Sequence, residues 1–306
     1  MKGSQLTSKL IHLFSIFLVL LLLYIFISCS TLSDQMALSD AYYNLGNSEL
    51  DKGNTEDAEK YFITALSYNS DNRSVSYNLA ITYTLNGKFS DAEILLQQLL
   101  LDDPDNIIVL NASAWNMYKS GELGRAIEIY ESILIQNPAY NELRKNCIRV
   151  NLESGDFSRA SYHIEFLIGN SALDSELLFL QGELLFLQNN SEAEDWYIAS
   201  VKKDFSNNDA VSGLIKILHT KTEEQPILEL YNKLDISGVL NPELMYEFSL
   251  YLLIMEETSG YDYFREAVLM GFDITQVKKS DVSRLPDSIK KEFLNLLSEE
   301  FVGTYQ

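Results

Sequence analysis

A glycine recurs every 34 residues in the first half of this chain, and this interval constrains the fold more than any other feature. The four positions are Gly53, Gly87, Gly121 and Gly155. An alanine follows each glycine by five residues, at Ala58, Ala92, Ala126 and Ala160. A fixed period of this length is typical of repeat architectures, whose units bury their apolar faces only by stacking on one another. The sequence therefore predicts an array of similar units.

Each unit is expected to consist of two short helices joined by a tight turn. The glycine supplies the left-handed backbone that ends the first helix, which other residues adopt only at a cost. Small residues let the two helices cross closely, and seven positions before the glycine stand Gly46, Ala80 and Ala114, with Ile148 as the exception. Nine positions after the glycines come the larger apolar residues Phe62, Leu96, Tyr130 and Ile164, which are expected to fill the layer against the next unit.

Two short motifs carry a family resemblance. The first is Tyr-Asn-Leu-Gly at 43–46, repeated as Tyr-Asn-Leu-Ala at 77–80, and the second is Gly-Lys-Phe-Ser-Asp-Ala at 87–92. With the 34-residue period, these resemble the tetratricopeptide repeat family. The resemblance implies an all-α fold, a right-handed α-α superhelical solenoid of helix hairpins with a helical C-terminal cap. It places five repeats over 39–208, at 39–72, 73–106, 107–140, 141–174 and 175–208.

The remainder of the chain, 209–306, is predicted to form a divergent helical repeat and C-terminal capping helices. A helical pair is expected through Ala210 to Leu234, with Pro226 opening its second helix. Further helices are predicted from Met245 to Ile254, from Tyr263 to Met270, and after Pro286. They are expected to cover the open end of the stack, because an array leaves its last apolar face exposed.

The N-terminal segment has the pattern of an export signal. No Asp, Glu, Lys or Arg occurs from Leu10 to Ile27, and Ser28-Cys29 follows directly. This resembles the bacterial lipobox, although Phe26 stands where leucine is usual. The resemblance implies cleavage of a signal peptide at 1–28, acylation of Cys29 and a short tether over 29–38. The protein would then be lipid-anchored to the bacterial cell membrane or outer membrane on the exported side. The alternative is an uncleaved signal anchor.

The charge balance excludes some classes of partner. The chain has 44 acidic and 23 basic side chains, which gives a formal charge of −21. Affinity for nucleic acid depends on Lys and Arg neutralising phosphates, so DNA or RNA is not expected as a partner. The acidity itself is explained by solubility.

No residue pattern indicates catalysis. No phosphate loop, nucleophile elbow or metalloprotease motif occurs, and His163 and His219 have no metal ligand at the usual sequence spacings. Cys147 and His163 are interpreted as buried structural residues. The sequence therefore predicts that the protein is not an enzyme and that it has no catalytic residue, metal site or cofactor.

The family resemblance implies which residues line a partner-binding groove. In this family the groove is formed mainly by the first helix of each repeat, and the offsets from the glycines assign Tyr43, Asn44, Asn47, Tyr77, Asn78, Asn111, Trp115, Tyr118, Lys145, Asn146 and Arg149. In some family members asparagines at the offset of Asn44, Asn78 and Asn146 hold the backbone of an extended peptide. The alternative is that these asparagines bond within the repeat itself. The family's clamp for chaperone tails is not expected, because Ile108 and Ala112 stand where it needs cations.

Two functions remain open at this point. The first is a membrane-anchored adaptor or scaffold that binds a protein or peptide in the concave groove during cell-envelope assembly or maintenance. The second is a structural subunit of an envelope complex that uses its convex face and C-terminal helices. Tryptophan, tyrosine and arginine are enriched at energetic hot spots, which favours the groove.

Overall fold

The described part of the chain is built entirely from helices. The computed structural model describes residues 34–303, with side chains described to Ser298, and no strand occurs in that range. This confirms the all-α repeat fold predicted from the sequence. In chain order the helices are α1 (34–51), α2 (Thr55–Tyr68), α3 (Arg73–Leu85), α4 (Phe89–Asp102), α5 (Ile107–Lys119), α6 (Leu123–Gln136), α7 (Asn141–Ser154), α8 (Phe157–Asn170), α9 (Ser175–Leu187), α10 (Ala193–Lys203), α11 (Asn208–Thr220), α12 (Glu224–Ser237), α13 (Pro242–Ile254), α14 (Gly260–Leu269), a short 3₁₀ turn (Ile274–Gln276), α15 (Lys279–Arg284) and α16 (Asp287–Gly303).

Two compact units divide the chain between Leu143 and Arg144, in the first turn of α7. Unit 1 contains α1 to α6. Unit 2 contains the rest of α7 and α8 to α16. Each unit has its own buried clusters, and each is described separately.

The periodic glycines end the first helix of each pair, as predicted. Their φ angles are +79° at Gly53, +73° at Gly87, +85° at Gly121 and +79° at Gly155. This is the left-handed region, where a side chain is strained. The fifth pair uses Asn189 instead, with φ 58°. Asparagine tolerates this conformation better than most residues.

Small residues sit at the helix crossings of unit 1. Ala58, Ala80, Ala92, Ala114 and Ala126 are completely buried. Gly46 of α1 faces the ring of Phe62 on α2, and a Cβ atom at Gly46 would lie 2.5 Å from its Cε1 atom. The larger residues of the pattern fill the interior beside them, since Phe62 and Leu96 are also buried. The small residues therefore allow the two helices of each pair to cross closely and pack.

The chain starts its first helix earlier than expected. The tether was predicted to extend to residue 38, whereas α1 begins at residue 34. Residues 34–38 are thus helical, and Ser39 is already buried. A polar composition in this stretch does not prevent a helix, because α1 is stabilised by packing on α2 further along.

Unit 2 continues the helical pairs beyond the predicted repeats. The pair α11 and α12 and the helices α13, α14 and α16 all occur where sequence periodicity placed them. The ring of Phe264 on α14 lies 5.0 Å from that of Phe293 on α16, edge to face. Leu285 and Ile289 complete this buried cluster, so α16 covers the apolar side of the last pair. The 3₁₀ turn and α15 were not predicted, because they are too short to show a period.

Within residues 34–303, no helix combines the length and apolarity needed to cross a membrane. The predicted signal peptide at 1–28, the predicted lipidation site Cys29 and residues 30–33 of the predicted tether lie outside the described residues.

Candidate protein-interaction face

The first helices α3 and α5 of unit 1 are nearly free of charge, whereas α1 carries Asp34, Asp40, Glu49 and Asp51. Helix α3 carries one charged residue, Arg73 at its start, and α5 carries one, Lys119 at its end. Neither helix has a carboxylate, in a chain whose formal charge is −21. Their exposed polar groups are amides, hydroxyls and aromatic rings instead. We refer to the predicted groove residues of α1, α3 and α5 as the aromatic-amide face: Tyr43, Asn44, Asn47, Tyr77, Asn78, Asn111, Trp115 and Tyr118.

A hydrogen-bonded amide pair joins α1 to α3 on this face. The side-chain nitrogen of Asn78 donates to Oδ1 of Asn47 at 2.7 Å and to the hydroxyl of Tyr43 at 3.3 Å. All three side chains are half-buried. Asn78 therefore bonds across neighbouring repeats, while Asn44 is exposed and makes no side-chain hydrogen bond with residues 34–303. The two asparagines at the same repeat offset thus differ in role.

A cavity of about 240 Å³ adjoins the amide pair. Tyr43, Tyr77, Asn78 and Ile108 line it from three successive first helices. The aliphatic side chain of Ile108 is 65% exposed at its edge. Burial raises the pKa of Tyr77, so this phenol stays neutral at physiological pH.

Arg73 also borders the cavity, but its charge is balanced locally. Its Nη1 lies 2.6 Å from Oδ2 of Asp102, and its Nη2 donates to the carbonyl oxygen of Leu99 at 3.0 Å. The cavity therefore presents aromatic, aliphatic and amide surface without an uncompensated charge.

The face extends along α5. Ile108, Asn111, Trp115 and Tyr118 are spaced by three, four and three residues, which places them on one side of the helix. Asn111, Trp115 and Tyr118 are half-buried, so Trp115 is not enclosed between the paired helices. The Lys119 ammonium lies 5.3 Å from the centroid of the Tyr118 ring. An aromatic surface of this kind offers large contact area at small entropic cost.

Lys145 and Arg149, two cations assigned to the groove from the sequence, are neutralised within unit 2. Lys145 is buried, and its Nζ lies 2.7 Å from Asp174 and 3.0 Å from Glu176. Arg149 pairs with Glu176 at 2.9 Å and with Asp209 at 3.3 Å. Although burial opposes it, the bond from Lys145 lowers the pKa of Asp174. These cations are held by carboxylates on later repeats, so they offer little charge to a partner; Asn146 beside them is half-buried.

Sequence reasoning missed one polar cluster inside unit 2. His163 is buried, with Nδ1 2.9 Å from Nη1 of Arg144 and Nε2 3.7 Å from Sγ of Cys147. Asn151 donates to the same sulfur at 3.3 Å. Because arginine is always a donor, Nδ1 accepts and Nε2 carries the proton. Cys147 is buried as predicted. Of its neighbours, Asn151 lies on the same helix and His163 on α8, sixteen residues away, a spacing that matches no ligand motif.

The family relationship follows from the repeat pattern and from comparison with known proteins. Residues 49–115 match the tetratricopeptide repeat family. Over 133 residues the chain is 29% identical to the human protein O-mannosyl-transferase TMTC3. This aligned stretch is 43% of this chain and 14% of that protein. The chain thus spans about a seventh of this relative, and mannosyl transfer is a property named for that protein.

Solved structures agree on the fold. A tetratricopeptide repeat protein from Parabacteroides merdae superposes with a TM-score of 0.53 at 17% identity, covering 86% of this chain and 99% of that one. Human IFIT1, solved as a dimer with PPP-AAAA, gives a TM-score of 0.51 at 17% identity, covering 76% and 54%. At these identities the likeness concerns the fold alone. Together with the match of residues 49–115 to the tetratricopeptide repeat family, it shows that the described chain folds as tetratricopeptide repeats.

Proposed function

We propose that this protein is a membrane-tethered adaptor of the bacterial cell envelope whose aromatic-amide face holds a segment of a partner protein. The observation that carries the proposal is the absence of carboxylates from α3 and α5, next to a cavity lined by Tyr43, Tyr77 and Ile108. An acidic chain gains solubility from surface carboxylates, so a face that lacks them favours contact with another molecule.

The composition of the face supports a protein as the partner. Tyrosine and tryptophan are enriched at interface hot spots, and half-buried rings already have part of their conformational freedom removed. Nucleic acid is disfavoured by the formal charge of −21. The tether is supported by the apolar run from Leu10 to Ile27 and by Ser28-Cys29.

A carboxylate introduced on each side of unit 1 tests this function. Trp115→Glu places a carboxylate on the first-helix face, and Ile135→Glu places one on α6, where Ile135 is 78% exposed. In crosslinking pull-downs from the native cell, we expect Trp115→Glu to lose the partner and Ile135→Glu to keep it. Thermal melting of both variants confirms that each remains folded. Retention of the partner by Trp115→Glu contradicts the proposal.

One observation favours the second candidate, a structural subunit. Four aliphatic side chains stand in the last turn of second helices and are at least 78% exposed: Leu101, Ile135, Ile236 and Leu269. Exposed aliphatic groups at a repeated position are suited to contacts with a larger assembly. If this is the function, Ile236→Glu or Ile135→Glu releases the complex and Trp115→Glu does not.

A further inference from the structure

An apolar cavity of about 310 Å³ opens among the last elements of unit 2. Side chains from the 3₁₀ turn, α15, α16 and the connection before α15 line it: Ile274, Val277, Lys279, Val282, Leu294 and Leu297. Leu294 is 47% exposed at its edge. Five of the six lining residues are aliphatic, so the cavity suits aliphatic side chains of another molecule.

Cations are concentrated around this cavity in a chain that is otherwise acidic. Residues 274–298, which we call the cap segment, carry five basic and three acidic side chains. Since the whole chain has a formal charge of −21, the rest of it carries −23. The cap segment is therefore locally basic. Its basic residues are Lys278, Lys279, Arg284, Lys290 and Lys291.

Three of these cations are available to another molecule. Lys278, Lys279 and Lys291 are exposed, and none of them forms an ion pair with residues 34–298. Lys279 belongs to the cavity wall. Lys291 precedes Leu294 by three residues, about one turn of α16, so the two lie on the same side of that helix. The cap segment thus presents an apolar cavity with unpaired positive charge beside it.

One side of α1 has the opposite composition. Asp34, Leu38, Ala41 and Leu45 are spaced by four, three and four residues, which places them in one stripe along the helix. All four are exposed, with Leu38 at 43% and Leu45 at 47%. Asp34 and the neighbouring exposed Asp40 form no ion pair within the described side chains. We refer to these five residues as the α1 stripe, which is apolar and carries unpaired negative charge.

The cap segment and the α1 stripe are complementary in both polarity and charge. Leucine side chains that project from a helix can enter an apolar cavity, and their burial is favourable. Carboxylates on one surface and ammonium groups on the other attract each other and fix the orientation of the contact. Two copies that meet through acidic surfaces repel instead. A second copy of this chain therefore offers the occupant that the cavity requires.

We infer that copies of this chain associate head to tail, with the α1 stripe of one copy bound at the cap segment of the next. The contact joins two different surfaces, so each pair keeps one α1 stripe and one cap segment free, and further copies can add. The α1 stripe shares no residue with the aromatic-amide face. Association therefore brings several such faces together, which raises the avidity for a partner with repeated segments.

Zero-length crosslinking tests the contact directly. Full-length protein is prepared in unlabelled and heavy-nitrogen forms, mixed equally in detergent and treated with a carbodiimide, which joins lysine to carboxylate. We expect mixed-isotope peptides that link Lys278, Lys279 or Lys291 to Asp34 or Asp40. Raising NaCl from roughly 50 to 500 mM should reduce these crosslinks several-fold, because salt screens the charge pairs.

Charge reversal at each surface adds a complementation test. Lys278→Glu with Lys279→Glu, or Asp34→Lys with Asp40→Lys, should each weaken self-association roughly tenfold or more, because like charges then meet. An equal mixture of the two variants should associate again, since every reversed surface then has a complement. Sedimentation of the full-length proteins in detergent measures the number of copies in each particle, and circular dichroism checks that each variant is folded.

The matched control is Lys202→Glu with Lys203→Glu, the same charge change at an exposed lysine pair of α10. It should leave self-association unchanged. Trp115→Glu should also leave it unchanged, so loss of the envelope partner with retained association contradicts the proposed function and not this inference.

Three outcomes overturn the inference. A single copy per particle at roughly 0.1 mM is the first, because a contact of even micromolar strength is populated there. Association that survives both charge reversals is the second, since it places the contact elsewhere or reflects shared micelles. Crosslinks confined to one isotope that join the cap lysines to Glu299 or Glu300 are the third, because they make the chain's own C-terminus the occupant.

Discussion

The ring of Tyr197 occupies the space in which Gly213 would carry its side chain. A Cβ atom on Gly213 would lie 2.6 Å from Cε1 of Tyr197, and one on Gly182 would lie 2.7 Å from Cδ1. The ring is fully buried, and its hydroxyl donates to Oε2 of Glu183 at 2.6 Å. Because glycines of α9 and α11 flank this ring and the bond to Glu183 holds it, it has little freedom to move.

We therefore expect Gly213→Ala and Gly182→Ala each to lower the free energy of unfolding by roughly 1 to 3 kcal/mol, the usual cost of overpacking. Gly169→Ala is the control, because a Cβ atom there meets nothing within 4 Å. It should leave stability unchanged or slightly increased. Urea unfolding followed by circular dichroism measures all three, and equal midpoints would show that the Tyr197 ring can shift freely.

The helix crossings of unit 1 should likewise be destabilised by larger side chains. Ala92 and Ala126 are completely buried, so Ala92→Leu and Ala126→Leu are each expected to cost roughly 1 to 3 kcal/mol. Ala41 of α1 is exposed, and Ala41→Leu should have little effect. The three substitutions are compared by the melting temperatures of fragments that begin at Ser30. Unchanged melting temperatures for both buried variants would contradict the close crossing.

Glu247 gives the fold a specific dependence on pH. Burial raises the pKa of its carboxyl. His219, whose Nε2 lies 3.5 Å from Oε2 of Glu247, opposes this rise in pKa, as does Arg284. The charge of Asp281 raises the pKa further. A carboxyl whose pKa is higher in the folded state stabilises the fold when protonated, and this stabilisation is lost as pH rises through the folded pKa. Glu247→Gln should therefore raise the melting temperature near neutral pH.

The gain from Glu247→Gln should shrink on acidification, because the native carboxyl is then protonated as well. Melting temperatures measured between about pH 4 and about pH 8 provide the check. Glu243→Gln, an exposed change in the same helix, is the control. A gain that is equally large at both ends of this range would show that ionisation of Glu247 is not its cause.

Lipidation at Cys29 is the most direct test of the proposed tether. Cys29→Ala should block acylation and cleavage together, which leaves a chain that still carries Met1 to Ser28. Mass spectrometry of the native protein is expected to find a mature N-terminus at acylated Cys29. An intact, unacylated N-terminal segment would replace the lipoprotein with a signal anchor and leave the repeat fold unaffected.

The sequence alone was sufficient for the repeating framework. A turn that needs a left-handed residue and a crossing that needs a small one are local requirements, so they appear in the sequence at fixed offsets. Gly53, Gly87, Ala92 and Ala126 could be assigned from the 34-residue period without coordinates. The longer helices of 209–303 followed from apolar periodicity for the same reason, whereas the 3₁₀ turn and α15 did not.

Only the tertiary structure decided how polar side chains on different helices meet. Asn78 reaches Asn47 across 31 residues, Lys145 reaches Asp174 across 29, and His163 reaches Cys147 across 16. These contacts depend on the relative rotation of packed helices, which the apolar period does not specify. The same family offsets thus give a face of amides and aromatic rings in unit 1 and a neutralised ionic network in unit 2.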